Sequence, residues 1–241
     1  MKTLVRRKKV LGIIGGMGPI ADVTFLKLLH SHTVAETDFD HVPVIYDGNC
    51  TRPDRSNALI GISRKSPYES LRLSLKHLER SGAEVIVIPC NTAHFWISKL
   101  MRRKKRTVKL IDMIYEVCKA CQRVGLGKVC LLCTQGTRKK KLYEEAAFRM
   151  GFDIVYPDYG VQKKISALIS SVKRGEPSTL SELEADLKDI TCDGFILGCT
   201  ELSVALDRTR EPLFTYIDSL SVLAEKAIKE CGGRAKPFEY A

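Results

Sequence analysis

The chain alternates short apolar runs with longer segments of helical spacing along its length. The segments with strand composition are residues 9–14, 42–46, 83–88, 108–111, 128–133, 153–156, 194–198 and 213–217. Between them, helical spacing is clearest at Leu71, Leu75 and Leu78 within residues 67–80. Strands that alternate with helices are typical of parallel sheets with right-handed crossovers. We therefore predict an α/β fold.

The pattern restarts near residue 108, so the chain contains an internal repeat. Residues 9–16 resemble residues 128–136, and the segment that ends at Cys90 resembles the segment that ends at Cys199. Between the predicted strands, residues 91–102 and residues 138–150 are predicted helices, and residues 47–57 are a predicted loop. Two similar α/β lobes that face each other would bring the two cysteines to opposite walls of one cleft.

Cys90 and Cys199 each follow a predicted strand and precede a polar residue and a predicted helix. Open parallel sheets bind their ligands at the carboxyl ends of strands. A helix N-terminus also favours thiolate over thiol, so we expect a lowered pKa for one of the two. Matched thiols, one from each half, indicate chemistry on two faces of one substrate.

Composition limits the class of protein. The 241 residues are 44% hydrophobic and contain nine cysteines. No apolar run approaches the ~20 residues of a membrane span, and residues 10–16 are too short for a signal-peptide core. We expect a cytoplasmic protein with free thiols and no membrane association.

The formal net charge is +11, and much of it lies in the clusters Arg6–Lys9, Arg102–Arg106 and Arg138–Lys141. Such clusters bind nucleic acid, steer anionic substrates or lie on solvated helix ends. The clusters lack interleaved aromatic residues that could stack on bases, which favours solvated ends and disfavours nucleic acid.

Three further motifs have more than one interpretation. The loop Gly15–Pro19 suits an anion site or a tight turn, but it lacks the third glycine of the dinucleotide fingerprint. His94, four residues after Cys90, suits tuning of the thiol or packing. The cysteines of a CxxC-x8-CxxC array have zinc-like spacing, but their helix and strand context favours packed thiols: Cys118, Cys121, Cys130 and Cys133.

Three of these motifs together resemble the aspartate/glutamate racemase superfamily: Gly15–Pro19, Pro89–His94 and Gly198–Glu201. The aspartate racemase branch is the more similar one. Glutamate racemases usually carry Asp-Ser-Gly in the first loop and a histidine after the second Cys-Thr, where this chain has Gly15-Gly16-Met17 and Glu201.

The resemblance implies two Rossmann-like lobes with mainly parallel sheets, related by a pseudo-twofold axis, with the active site in the cleft. The first lobe would comprise residues 1–109 and 217–241, and the second residues 110–216. Members of the family use no cofactor or metal, act on a small amino-acid substrate and are usually homodimers.

The resemblance also implies roles for individual residues. Cys90 and Cys199 correspond to the catalytic thiols. Arg55 and Lys173 correspond to the cations that hold the side-chain carboxylate of aspartate. The remaining implied substrate-binding residues are Asn91, Thr92 and Thr200 for the α-carboxylate, Met17 in the first loop, and Thr134 and Thr137 in the second lobe.

Three positions qualify this assignment. Ile169 stands where an aspartate racemase can have a tyrosine, and Gln135 replaces a smaller residue, so the substrate's size is open. Arg52 is a candidate second anion ligand.

The implied reaction is racemisation of an acidic amino acid, aspartate first, by a two-base mechanism with two cysteines. An alternative is a racemase or isomerase of the same superfamily that acts on glutamate, another amino acid, a hydantoin or a dicarboxylate. A further alternative, from another class, is a non-catalytic basic binding module.

Overall fold

The computed structural model describes residues 7–101 and 108–237. Its strands form two four-stranded sheets, each entirely parallel, with orders β2-β1-β3-β4 and β6-β5-β7-β8. The predicted α/β fold with parallel sheets is therefore confirmed. The strands are β1 Leu11–Ile14, β2 Val44–Asp47, β3 Val85–Val87, β4 Lys109–Leu110, β5 Lys128–Cys133, β6 Asp153–Val155, β7 Gly194–Gly198 and β8 Tyr216–Asp218.

Helices connect the strands and cover the sheets. Leu71, Leu75 and Leu78 are buried on one face of α3, as their spacing predicts. The α-helices are α1 Pro19–Ser31, α2 Arg55–Ile60, α3 Tyr68–Arg80, α4 Ile97–Met101, α5 Met113–Val124, α6 Gln135–Lys139, α7 Glu144–Arg149, α8 Tyr159–Lys173, α9 Glu184–Leu187, α10 Thr200–Ala205 and α11 Ser219–Glu230. Short 3₁₀ helices span Asp38–Asp40, Asn91–Trp96 and Leu180–Leu183.

Three local predictions were wrong. The helix predicted for residues 91–102 is a 3₁₀ helix followed by the short α4, and residue 102 lies outside the described residues. The helix predicted for residues 138–150 is split into α6 and α7, because Lys141 adopts φ 50°. The loop predicted to reach residue 57 ends at Asp54, whose carboxylate caps α2.

The two sheets are topological copies, because β1 pairs with β2 and β3 just as β5 pairs with β6 and β7. One apolar core joins them and includes Phe25 of α1, Leu131 of β5 and Leu223 of α11. Helix α11 starts directly after β8 of the second sheet and packs against α1 and α5. The division into lobes after residues 109 and 216 stays a proposal.

Cysteines of β5 face opposite sides of the second sheet. Cys130 packs in one apolar cluster with Leu132, whereas Cys133 packs in the larger core with Leu131. Within residues 7–101 and 108–237, no group of three or more His, Cys, Asp or Glu side chains is arranged to hold a metal ion. None of the helices described there is long and apolar enough to cross a membrane.

The basic cluster at residues 138–141 is largely committed to the fold. Arg138 donates to the carbonyl of Pro157 at 3.2 Å, and Lys139 donates to the carbonyl of Ile60 at 3.0 Å. Lys140 lies 5.5 Å from the centre of the Phe95 ring. The cluster at residues 102–106 and Arg6 lie outside the described residues.

Candidate active site

A small cavity lies between the lobes, at the carboxyl ends of the strands, where parallel sheets bind ligands. Its volume, as space open to the centre of a water molecule, is about 20 Å³. That is close to what one water needs and far below what an amino acid needs. We call this conformation closed, because the cavity has no room for an amino acid. Its lining residues are Met17, Asp54, Arg55, Ser56, Cys90, Asn91, Thr92, Thr134, Lys173, Cys199, Thr200 and Glu201.

The two cysteines enter the cavity from different lobes. Cys90 follows β3, Cys199 follows β7, and each is 6% exposed. The charge of Cys90 contributes to the pKa of Cys199, so the two sulfurs are within electrostatic reach of each other. The thiol of Cys199 donates to Oε2 of Glu201 at 3.0 Å.

The expected lowering of a thiol pKa is not found in this closed cavity. Burial raises the pKa of Cys90, and the nearby Arg55 guanidinium opposes that effect. Burial, and to a lesser extent the Glu201 carboxylate, raises the pKa of Cys199 well above its usual range, although the Lys173 charge acts to lower it. The helical turns that follow the cysteines are short, so their N-termini lower the thiol pKa values less than desolvation raises them. Of the two, Cys90 has the environment that better favours a thiolate.

Two cations, Arg55 and Lys173, line the cavity. Arg55 donates to the carbonyl of Met17 at 2.9 Å, and its Nε is buried with no hydrogen-bond partner among the described residues. Burial alone would lower the pKa of Lys173, but Glu201, Cys199 and Asp54 together raise it. Burial alone would also lower the pKa of Arg55, but the nearby Cys90 and Asp54 outweigh burial, so the pKa is raised. Both side chains are therefore positively charged and suited to bind an anion.

Three threonine hydroxyls hold the lobes together at the cavity's edge. Thr92 of the first lobe bonds to Thr134 and Thr137 of the second, each at 3.0 Å. Thr137 is fully buried behind the lining and is the one predicted site residue that does not contact the cavity. Beside them, the Gly136 N–H donates to Ser56 Oγ at 2.9 Å, also across the lobes.

Asn91 connects the Cys90 loop to the second lobe. Its Oδ1 accepts from the Tyr143 hydroxyl, and its Nδ2 donates to Ser219 Oγ at 3.0 Å. Ser219 in turn donates to the carbonyl of Leu197 in β7 at 2.8 Å. One side-chain N–H and the side-chain oxygen of Asn91 are thus committed to the fold.

His94 has a structural position. Its Nδ1 is 2.9 Å from the carbonyl oxygen of Cys90, and its Nε2 accepts from the N–H of Met113 at 3.1 Å. These partners define a neutral imidazole that donates from Nδ1 and joins the Cys90 loop to α5. Burial lowers its pKa, which keeps it neutral.

The glycine loop is a tight turn against the buried carboxyl group of Asp22. Gly16 has φ 80°, and a Cβ there would lie 2.1 Å from the carbonyl oxygen of Asn49. Its N–H donates to Asp22 Oδ2 at 2.6 Å, which also accepts from the Tyr46 hydroxyl at 2.9 Å. Burial raises the pKa of Asp22 to about 6. The Gly16 N–H is thus used within the chain and is not available to an outside anion.

Arg52 is not a second anion ligand. Its guanidinium is buried and donates to the carbonyls of Gly15 and Ser70 and to Asp47, at 3.0 to 3.2 Å. Neither of the positions that left the substrate's size open lines the cavity: Ile169 packs in an apolar cluster, and Gln135 is exposed.

Asp54, Ser56 and Glu201 line the cavity but were not among the predicted site residues. Glu201 could have been found from its position, two residues after Cys199 in the first turn of a helix that opens at the cleft. Asp54 could have been found as the cap of the helix that carries Arg55. Ser56 has no sequence signal, because its position depends on the packing of α2 against α6.

Comparisons with known proteins bear on the family and the fold. The model of the Asp/Glu/hydantoin racemase family matches residues 14–227. The broad specificity amino-acid racemase RacX of Bacillus subtilis is 23% identical over 229 residues, which cover 91% of this chain and 96% of RacX. The aspartate racemase of Picrophilus torridus has a TM-score of 0.81 at 29% identity and covers 95% of this chain and 96% of its own.

A glutamate racemase from Campylobacter jejuni, with a TM-score of 0.62 and 16% identity, covers 95% of this chain and 88% of its own and shares the fold. Because the family model covers most of the sequence, the family is established: this chain belongs to the Asp/Glu/hydantoin racemase family.

Proposed function

We propose that this protein racemises aspartate without a cofactor, using Cys90 and Cys199 as its two acid–base groups. The observation that carries the proposal is that the two thiols line one closed cavity from opposite lobes. Racemisation needs a base on one face of the α-carbon and an acid on the other.

In the proposed reaction, the thiolate of one cysteine removes the α-proton, and the electron pair stays on the α-carbon, where the carboxylate delocalises it. The thiol of the other cysteine then gives its proton to the opposite face. No net oxidation occurs, and each cysteine exchanges its role in the reverse direction. The closed cavity strengthens the electrostatic stabilisation of the carbanion, because it excludes water.

Arg55 and Lys173 support an acidic substrate. Both cations line the cavity wall, Arg55 half-buried and Lys173 exposed on its outer side, and their charges would attract an anion that enters the cavity. The aspartate racemase of Picrophilus torridus is similar over nearly the whole chain. RacX has broad specificity, which makes a broader amino-acid racemase the second candidate.

Chiral chromatography tests the reaction. The reduced protein, dialysed against EDTA and without added cofactor, is incubated separately with L- and D-aspartate and with L- and D-glutamate. We expect interconversion of the aspartate enantiomers, lost in both directions in Cys90→Ala and Cys199→Ala. Folded, reduced protein that interconverts none of the four, or a single-cysteine variant with full activity, would contradict the proposal.

A second experiment separates aspartate specificity from broad specificity. Arg55→Ala is compared with the unsubstituted protein on aspartate, glutamate, alanine and lysine. If Arg55 holds the side-chain carboxylate, the variant loses activity on the acidic substrates selectively. An equal loss on all four would show that Arg55 acts through the Cys90 thiol and not on the side-chain carboxylate. Efficient racemisation of alanine and lysine by the unsubstituted protein favours the broad-specificity alternative.

A further inference from the structure

The Glu201 carboxylate has one oxygen in use and one that is not. Oε2 accepts from the thiol of Cys199 at 3.0 Å and from the Thr200 hydroxyl at 3.4 Å. Oε1 is buried and has no hydrogen-bond partner within residues 7–101 and 108–237. We propose that Glu201 Oε1 binds the α-ammonium group of the substrate, so the site takes α-amino acids and discriminates against dicarboxylates that lack the amino group. This inference rests on the proposed function.

Burial makes the unpartnered oxygen informative. Glu201 is 3% exposed and lines the cavity. A buried carboxylate oxygen without a donor carries a desolvation cost, and native structures almost always provide it with a partner. A ligand with N–H donors and a positive charge would supply that partner.

The first lobe leaves space beside this oxygen. A Cβ added to Gly18, in the loop after β1, would lie 3.0 Å from Glu201 Oε1. Gly18 has φ −124°, which any residue can adopt, so the backbone conformation does not require glycine there. The absence of a side chain at position 18 keeps the approach to Oε1 open.

Other polar groups around the cavity are less suitable for an ammonium group. Arg55 and Lys173 are cations and would repel it. Asp54 uses one carboxylate oxygen to cap α2, where it accepts from the Asn57 N–H at 2.6 Å. The hydroxyl of Thr92 is already bonded to two other threonines. Glu201 is thus the anionic group at the wall with a buried oxygen left to accept.

The position next to Cys199 also suits the chemistry. An ammonium group bound to Oε1 would contact the same carboxylate that accepts the hydrogen bond from the Cys199 thiol. Its positive charge would offset the effect of the Glu201 charge on the pKa of that thiol. It would also stabilise negative charge on the adjacent α-carbon. Succinate, which is aspartate without the amino group, would leave Oε1 unpaired next to an anionic ligand.

Isothermal titration calorimetry with aspartate and succinate tests the inference. Cys90→Ala is the background, because the proposed reaction cannot consume the ligand there while the Cys199–Glu201 contact remains. In this background we expect aspartate to bind more tightly than succinate. Adding Glu201→Gln should weaken aspartate binding about 10- to 150-fold, the range for a hydrogen bond to a charged group. It should not weaken succinate binding, because the substitution removes a negative charge next to an anionic ligand. Asp22→Asn is the matched control, a buried carboxyl near the same loop that does not line the cavity.

Equal weakening of both ligands by Glu201→Gln, or no weakening of aspartate, would overturn the inference. If Glu201→Gln fails to fold, the comparison of the two ligands in Cys90→Ala alone still decides, because succinate binding as tight as aspartate binding contradicts an ammonium site. Gly18→Ala gives a second route to the same oxygen and should weaken aspartate more than succinate. Absence of racemisation by the unsubstituted protein is a separate result, which would refute the proposed function itself.

Discussion

The two cavity thiols are chemically identical but have neighbours of opposite charge. The Arg55 guanidinium near Cys90 opposes the rise of the Cys90 pKa. The Cys199 thiol instead donates a hydrogen bond to the Glu201 carboxylate. With no substrate bound, the environment therefore favours Cys90 as the thiolate and Cys199 as the thiol. The similarity of the two lobes does not extend to the electrostatics of their cysteines.

Glu201→Gln is expected to move the pH profile of racemisation. The Glu201 charge raises the pKa of both Cys90 and Cys199. Activity falls at low pH when the base is protonated and at high pH when the acid loses its proton. Removing the charge lowers both pKa values, so both limbs of the kcat/KM profile should move to lower pH.

The measurement is kcat/KM for aspartate over a pH series with Glu201→Gln and Asp22→Asn. The control variant should keep the limbs close to their original positions, because Asp22 contacts neither thiol. Limbs that stay in place or move to higher pH in Glu201→Gln would show that the Glu201 charge does not act on the thiols.

Asp22 should make stability depend on pH. Its pKa is about 6 in the folded protein against 3.8 for an unperturbed aspartate, because burial disfavours the charged form. The folded protein thus holds this proton more tightly than the unfolded chain. The resulting stabilisation is complete below about pH 4 and is lost as the pH rises through about 6.

Urea unfolding of the unsubstituted protein and of Asp22→Asn, at a series of pH values from about 4 to 7, measures this effect. The amide of the variant does not titrate, so the free energy of unfolding of the unsubstituted protein should fall relative to the variant as the pH rises. A shift of about two pKa units corresponds to roughly 3 kcal/mol. A constant difference across the series would show that Asp22 is already ionised in the folded protein.

Some residues could be identified from the sequence and others could not, for physical reasons. Cys90 and Cys199 have a local signal, since a polar or thiol residue directly after an apolar strand lies at the ligand edge of a parallel sheet. Arg52 and Arg55 lie three residues apart in one predicted loop, and the sequence does not show which guanidinium is bound by Asp47 and backbone carbonyls. The roles of the lining residues in binding and catalysis remain proposals.

At the scale of elements, α2 depends on a single cap. Asp54 accepts from the Asn57 N–H at 2.6 Å, and the helix that follows begins with Arg55. A six-residue helix has little stability of its own, so the cap and the packing against α6 hold it in place. The position of Arg55 in the cavity thus follows from the residue before it.

Asp54→Ala should lower the free energy of unfolding by about 1 kcal/mol, whereas Asp54→Asn should lower it less, because asparagine caps about as well as aspartate. Chemical unfolding of both variants at neutral pH measures the difference. An equal loss in both would indicate that the charge of Asp54, acting on Arg55 and Lys173, matters more than the cap.

Elements with strong periodicity were predictable, and elements decided by single backbone angles were not. The spacing of leucines predicted α3, and the apolar run 128–133 predicted β5. The break between α6 and α7 depends on one residue, Lys141, in a left-handed conformation that the sequence does not signal. Sequence periodicity cannot separate a 3₁₀ helix from an α-helix over the six residues 91–96 either.

For the whole molecule, the small cavity leads us to expect that the lobes separate when an amino acid enters. About 20 Å³ cannot admit an amino acid, and the contacts that close the cavity join the two lobes: Thr92 to Thr134 and Thr137, and Ser56 to Gly136. The apolar core that includes α11 contains residues from both sheets and keeps the lobes together. We therefore expect the hydrogen bonds at α2 and α6 to break and re-form in each catalytic cycle.

A disulfide across this contact should stop turnover by keeping the lobes closed. A Cβ on residue 136 would lie 3.3 Å from the Cβ of Ser56 and 2.8 Å from its Cα, so α2 and α6 must move slightly apart to reach the ~3.5–4.5 Å between Cβ atoms of natural disulfides. Ser56→Cys combined with Gly136→Cys should lose racemase activity on oxidation and regain it on reduction. The controls are the two single variants and the unsubstituted protein under the same treatment, since they carry the same nine native cysteines. Mass spectrometry confirms that the bond has formed, and full activity in the cross-linked protein would show that substrate enters without separation of α2 and α6.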